Sequence, residues 1–375
     1  MKLKFLRISL FLLLGISLYG AELTDGVNLS GFGTLGISTN DRDDVLYRAY
    51  AESSLVEKNE FDYQTNNIIG LQGKVDILDS LSVTAQGIMK DSEQDNWDTS
   101  LQWAYLQYEM LNNLTFRAGK FRLPIFQTTE LTYVGYARTW ANPTLSFYGV
   151  SGFEFMEGAQ AIYSTDLDQY TFTFRLNYGR SDDTLPKPKN PDITSIELQT
   201  DNIAIASMKV QNDWFWVNVA YSQLDEQIDT HKVSGVVDSI SSEAKAYSIE
   251  YSVDIDQLNL MGGFALAYNS QMPDERLIYQ SISYRIDKFK PFVLYSAKFF
   301  RDYPVAKGPM APAFDESKTR DKRLALGCRY DIYNGFALKY QFDRIDNGFS
   351  AVSTINTSGD TAVNHVHTLV LDWMF

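Results

Sequence analysis

Cysteine is nearly absent from this 375-residue chain: Cys328 is the only one, so no internal disulfide can form and a small disulfide-stapled scaffold is excluded. Histidine is almost as scarce, with three in all. His231 lies in a polar stretch, and His365 and His367 have strand spacing with neither a cysteine nor a carboxylate cluster beside them, so no metal or cofactor is expected. The same scarcity argues against an enzyme, which needs a nucleophile, a base and an orienting group within mutual reach. Positive charge is in short supply too: 33 Lys and Arg face 47 Asp and Glu, a net charge of −14. Such a surface repels phosphates, and nucleic acid is not expected as a partner. Long apolar runs are missing beyond the first twenty residues.

That first stretch, MKLKFLRISLFLLLGISLYGAE, has Lys2, Lys4 and Arg7 ahead of an apolar run from Ile8 to Tyr19, then Gly20-Ala21. This is the layout of a secretory signal peptide, read here as residues 1–21, with one domain over 22–375. Without its three basic residues and their charge, the net charge moves from −14 to −17. Just beyond it, Gly31-Phe-Gly-Thr-Leu-Gly36 matches the G-x-G-x-x-G string of dinucleotide-binding turns. No helical pattern follows, however, and Val27, Leu29, Gly31, Gly33, Leu35 and Ile37 alternate with Asn28, Ser30, Phe32, Thr34, Gly36 and Ser38. Period-2 alternation marks a strand, in which glycines admit a close neighbour or a bend.

The alternation recurs to the end of the chain. It predicts sixteen strands, the first at 26–38 and the last at 364–375, with 81–90, 114–122, 169–179, 200–210, 214–223 and 244–253 among them. "YTFTFRLNYG" carries Tyr170, Phe172, Phe174, Leu176 and Tyr178 on one face and Thr171, Thr173, Arg175 and Asn177 on the other. Connections alternate short and long. Short ones include "LDS" at 78, "LNN" at 111 and "DIYN" at 331, closed by Asn334-Gly335; long ones occupy 39–63, 91–99, 123–152, 180–199, 224–243, 302–319 and 345–363. Aromatics make up 14% of the chain, yet mean hydropathy is only −0.23. Export, strands of about ten residues and sorted loops together predict an all-β fold: a transmembrane antiparallel β-barrel of about sixteen strands with long extracellular loops. The period-2 ending at Leu369, Leu371, Trp373 and Phe375 is similar to the terminal aromatic signal of outer-membrane proteins.

Residues 116–155, FRAGKFRLPIFQTTELTYVGYARTWANPTLSFYGVSGFEF, resemble the fifth strand and third loop of Gram-negative porins, a superfamily of sixteen-stranded channels that includes phosphate-selective members. The likeness rests on Gly119-Lys120-Phe121-Arg122-Leu123-Pro124 and on Tyr133, Trp140, Pro143 and Tyr148-Gly149, about a tenth of the chain. It implies a homotrimer in the outer membrane of a Gram-negative bacterium, with loop three folded into each barrel. It also implies outer-membrane lipids as surroundings and passive diffusion of small hydrophilic solutes and ions. The competing classes are a barrel enzyme and an adhesin.

With the apolar faces toward lipid, Lys74, Arg117, Arg175, Lys209, Arg285, Lys298, Arg329 and Lys339 point inward, against Asp76, Glu109, Glu250, Asp343 and one of Glu154 or Glu157. The expected pore-lining set is Arg117, Lys120, Arg122, Glu130, Arg138, Arg175, Arg285, Arg329 and Lys339, which predicts a mild preference for anions. The alternative, scattered wall charges in a general diffusion pore, stays open. Lys120 and Arg122 break strict alternation after Arg117, so a bulge or the turn into loop three must intervene if all three face the lumen. Trp97, Trp103, Tyr105, Tyr133, Tyr136, Trp140 and Tyr148 suit interface girdles or loop packing better than a sugar-stacking slide.

Overall fold

The computed structural model describes residues 21–50, 53–58, 60–92, 97–148, 154–185, 192–271, 274–301, 320–347, 354–356 and 362–375. The stretch read as a signal peptide, up to residue 20, and the loop at 302–319 lie outside them. In chain order the strands are β1 (Ala21–Thr24), β2 (Val27–Asn40), β3 (Val45–Tyr47), β4 (Ile68–Leu78), β5 (Leu81–Lys90), β6 (Asp98–Leu111), β7 (Leu114–Arg122), β8 (Phe155–Leu167) and β9 (Tyr170–Leu185). They continue with β10 (Ile193–Gln211), β11 (Phe215–Lys232), β12 (Val237–Ile255), β13 (Leu258–Asn269), β14 (Asp274–Tyr284), β15 (Phe289–Arg301), β16 (Arg320–Tyr333), β17 (Phe336–Asn347), β18 (Thr354–Asn356) and β19 (Ala362–Met374).

Setting aside the short β1, β3 and β18, sixteen strands pair antiparallel, each with its neighbour in sequence, and β19 returns to pair with β2. The sheet is a closed barrel, so it has no free edge. The alternation in sequence becomes the two faces of the wall. Phe174, Leu176 and Tyr178 stand exposed outside, while Arg175 and Asn177 between them turn inward and are more buried. The short turns lie at one end. Asp168 (φ 53°) and Asp256 (φ 53°) open two-residue turns, and Gly335 (φ 82°) closes the turn after Asn334, residue types that tolerate the left-handed region.

The ring closes on the glycines of the opening motif. Gly31 and Phe375 exchange both backbone hydrogen bonds, at 3.0 and 2.9 Å. A Cβ on Gly31 would meet the Phe375 ring at 2.5 Å, and one on Gly33 would meet the Trp373 indole at 2.1 Å. These positions are glycine because two aromatic rings lie across them.

Two predicted loops are mostly strand. β9 to β12 run past their expected ends, into the stretches 180–199 and 224–243, and β11 turns into β12 through Val233–Val236 with Gly235 at φ 80°. The outer face of the extension is polar, with Gln223, Asp225 and Gln227 on β11, so it lacks the apolar stripe that marks a strand in lipid; its inner face carries Leu198, Leu224 and Ile228 into a buried cluster. A bulge between Asp201 and Ala204 also resets the alternation. There Asn202 (φ 52°) accepts from the Tyr178 hydroxyl and donates to Asp225, both at 2.8 Å.

The barrel is not hollow throughout. Tyr47, Tyr50 and Val56 of the first long loop pack with the inward-facing Ile68, Ile88, Ile345 and Val366 and with Tyr133. β3 in that loop pairs with β18 in the last one.

Candidate functional site

β7 delivers the chain into the barrel as loop three, described over residues 123–148. Gly119 (φ 140°) kinks β7 three residues before its end, and a Cβ there would meet the Ala104 carbonyl at 2.3 Å. The irregularity between Arg117 and Arg122 is this kink and not a bulge, since the pairing of β7 with β8 runs unbroken from Leu114 to Arg122. The loop then winds through two short 3-10 turns, Thr129–Leu131 and Gly135–Ala137, and one helical turn, Leu145–Tyr148.

One side of loop three lies against the wall from β12 round to β2. Its apolar face, Phe126 and Phe147, joins Leu277, Tyr279 and Leu294 in one buried cluster. Its polar groups meet a series of inward side chains. Glu250 on β12 is fully buried and accepts from the Gln127 amide and from the hydroxyls of Thr128, Tyr148 and Tyr279, the last at 3.0 Å. Lys339 on β17, 0% exposed, donates to the Gly135 and Trp140 carbonyls and sits 2.7 Å from Asp372 on β19, which also accepts from Thr34. Arg323 on β16 bridges Asp343 (2.6 Å) and the Pro143 carbonyl (2.9 Å). Arg329 reaches the carbonyls of Tyr136 (2.6 Å) and Arg138 (2.8 Å). The carbonyls of Gly135, Tyr136, Arg138, Trp140 and Pro143 thus each find a donor on the wall, which is how an irregular loop can sit inside a barrel.

Toward β8, β10 and β11 the loop shares the same buried cluster, with Met156, Leu198, Ile203, Ile205 and Leu224, and nearer the short turns the wall carries Arg117, Arg175 and Lys209. Glu130 at the first 3-10 turn approaches Arg175 on β9 at 3.6 Å. Arg117 on β7 donates to Gln107 (2.8 Å) and Gln160 (3.4 Å) and lies over the Tyr105 ring. Lys209 on β10 sits 5.6 Å above the Trp216 ring and has no ion-pair partner among the described residues. Above this row, Arg122 donates to Gln102 (2.8 Å), pairs with Glu154 (3.3 Å) and stacks on Tyr133. Enclosure pushes the Glu154 carboxyl up, but Arg122 and Lys90 outweigh that and hold it below the usual carboxylate range. The Tyr133 hydroxyl donates to Glu154 at 2.8 Å, and burial pushes it up to about 12.

The predicted pore-lining residues therefore separate into groups. Glu130 and Arg175 meet, and Arg117 stays with the wall residues Gln107, Gln160 and Tyr105. Arg122 stands above them, and Lys120 lies over the Phe155 ring at 4.9 Å. Arg138 and Lys339 depart from the expectation. Lys339 is sealed beneath loop three, and Arg138, buried within it, donates to the carbonyls of Thr132 and Ala141 and to the Tyr50 hydroxyl. Arg329 serves the same packing, since its guanidinium meets two loop carbonyls and, at 2.6 Å, Asp331 of its own strand. Arg285 lies beyond the end of β14, exposed and paired with Asp331 at 3.1 Å. Of the two candidate acids, Glu154 faces inward. Arg323 and Asp372 escaped the reading; both sit on faces that parity from Arg329 and from Trp373 marks as inward.

His365 lies 2.7 Å from Asp41 and His367 2.8 Å from the Tyr340 hydroxyl, both on the outer wall. His231 lies near Glu197.

A family model described as Gram-negative porin matches residues 17–350. No curated protein matches the chain in sequence. Among solved structures, the outer membrane channel DcaP of Acinetobacter baumannii superposes with a TM-score of 0.60 at 10% identity, covering 96% of this chain and all of its own. OmpT of Vibrio cholerae, in a trimer form, gives 0.57 at 12% identity over 93% and 99% of the two chains. The anion-selective porin of Comamonas acidovorans gives 0.57 at 12% over the same shares. At such identities the likeness is one of fold.

Proposed function

Since the chain belongs to the Gram-negative porin family and forms an outer-membrane channel for small solutes, we propose that solutes pass between loop three and the β7–β11 wall. The constriction in this reading is Arg117, Arg175 and Lys209 facing Glu130, with Arg122 and Lys120 above. The observation that carries it is the unequal use of cations. Lys339, Arg323 and Arg329 are committed to loop-three carbonyls and to acids, while Arg117 meets only neutral amides and a ring, and Lys209 only a ring. Three cations against one acid at the narrowest point favour anions, and the preference is mild because Glu130 offsets part of the field.

Reversal potentials of the purified protein in a KCl gradient give an anion preference in the wild type that falls in Arg117→Ala and Arg175→Ala. A unit charge about 7 Å from the ion path in water is worth about 0.6 kcal/mol, so each change shifts the permeability ratio about two- to threefold. Cation preference in the wild type would reject the assignment while leaving the porin.

The remaining readings are that residues 1–21 are a cleaved signal, that the protein acts as a channel without catalysis, and that it assembles as a homotrimer in outer-membrane lipid. The trimer form of the Vibrio cholerae protein supports the last. Histidines committed to Asp41 and Tyr340 on the outer wall support the second.

A further inference from the structure

Beneath loop three, on the side of the short turns, lies a half-enclosed cavity of about 260 Å³. The turn-proximal ends of four strands wall it: Trp216 at the start of β11, Ser252 at the end of β12, Met261 at the start of β13 and Lys290 at the start of β15. Loop three roofs it with Arg138, Trp140 and Tyr148. In an outer-membrane barrel the short turns are periplasmic, so the cavity opens toward the periplasmic half of the lumen.

We infer that this cavity is a binding site for a small carboxylate carrying a single flat ring; the inference rests on the channel reading, which brings such a solute to it. Charge and hydrogen bonding carry the first half. Lys290 has no ion-pair partner among the described residues, and Lys209 stands over the Trp216 ring at 5.6 Å. Trp140 and Arg138, 3% and 9% exposed, each hold a buried N–H, Nε1 and Nε, that makes no hydrogen bond among the described residues. Ser252 already accepts from the Asn259 amide at 2.9 Å, which leaves its hydroxyl proton to give. The nearby acids are occupied: Glu250 by four donors of loop three and β14, and Asp254 by the other contact of the Asn259 amide, at 2.9 Å. The site therefore has donors in excess of acceptors, and an anion makes up the difference.

Shape carries the second half. Two indoles, a phenol and a thioether line one small space, offering flat faces and a soft filler to a ring. A bare inorganic anion would leave that apolar surface uncovered. At about 260 Å³ the cavity falls just under the roughly 300–1,000 Å³ of sites for drug-sized ligands, which admits one ring with a short acidic arm and excludes a disaccharide.

The experiment is single-channel recording in KCl with benzoate as the probe, acetate supplying the charge alone and benzyl alcohol the ring alone. Benzoate is expected to interrupt the current saturably, with a half-blocking concentration at least about tenfold below that of either partial probe. Lys290→Met and Trp216→Leu are each expected to raise it at least about tenfold, with KCl steps reporting that the variant is folded. A benzoate block no stronger than that of acetate and benzyl alcohol, or one unmoved in both variants, overturns the inference and leaves the porin standing. Absence of KCl steps from the wild type would remove the channel reading and the inference with it.

Discussion

The two halves of the inner wall use the same residue types to opposite ends. From β12 round to β2, Glu250, Arg323, Lys339, Asp343 and Asp372 are buried under loop three, and all but Glu250 meet an opposite charge. From β7 to β11, Arg117 meets neutral amides and a ring, Lys209 a ring, and Arg175 the single acid Glu130. What separates the halves is the path of the loop. Where it lies down, a charged side chain becomes a strut whose removal leaves its partner buried and unpaired. Where it stands off, the same side chain keeps its water and acts on whatever passes.

The comparison breaks most visibly at Asp372. Replacing it with Ala strands the Lys339 ammonium without its anion, and stability is expected to drop by about 3–5 kcal/mol in denaturant unfolding of the purified barrel. The double change Lys339→Met with Asp372→Leu, which removes both charges, should recover most of that loss; an equal loss would mean that the pair matters for its shape alone. Next in size is Tyr279→Phe. It takes one hydroxyl from the buried Glu250 carboxylate, at an expected cost of about 1–3 kcal/mol, and loosened docking of loop three should appear as added noise in the open-channel current. On the exposed half the effects move from stability to selectivity. Glu130→Gln releases Arg175 and should raise the anion-to-cation permeability ratio about two- to threefold by reversal potential, with unfolding hardly altered. Smallest of all is Arg285→Ala at the mouth, where an exposed pair with Asp331 is worth about 0–1 kcal/mol; neither selectivity nor stability should shift appreciably.

Much of this was legible in the residues. Strands 81–90 and 114–122 are found with the predicted ends, and parity placed Arg175 and Lys339 on the inner face. The clash between Arg117, Lys120 and Arg122 foretold the kink at Gly119. What parity could not tell is which of two inward cations lies beneath the loop. Arg175 and Lys339 look alike in their strands, and their fates diverge only through contacts far along the chain, such as those of Gly135 and Trp140 with Lys339. The extension of β9 to β12 was hidden for a different reason. Apolar alternation reports lipid on the outer side, and a strand whose outer face is polar carries no such mark.

The seam between β2 and the final strand has a consequence for how the sequence can drift. Gly31 and Gly33 are each one carbon short of collision with Phe375 and Trp373. A descendant that gains a side chain at position 33 must shrink residue 373 in the same lineage, and likewise for 31 and 375. These two pairs, separated by almost the entire chain, are inherited as couples: each aromatic can persist only as long as its glycine does.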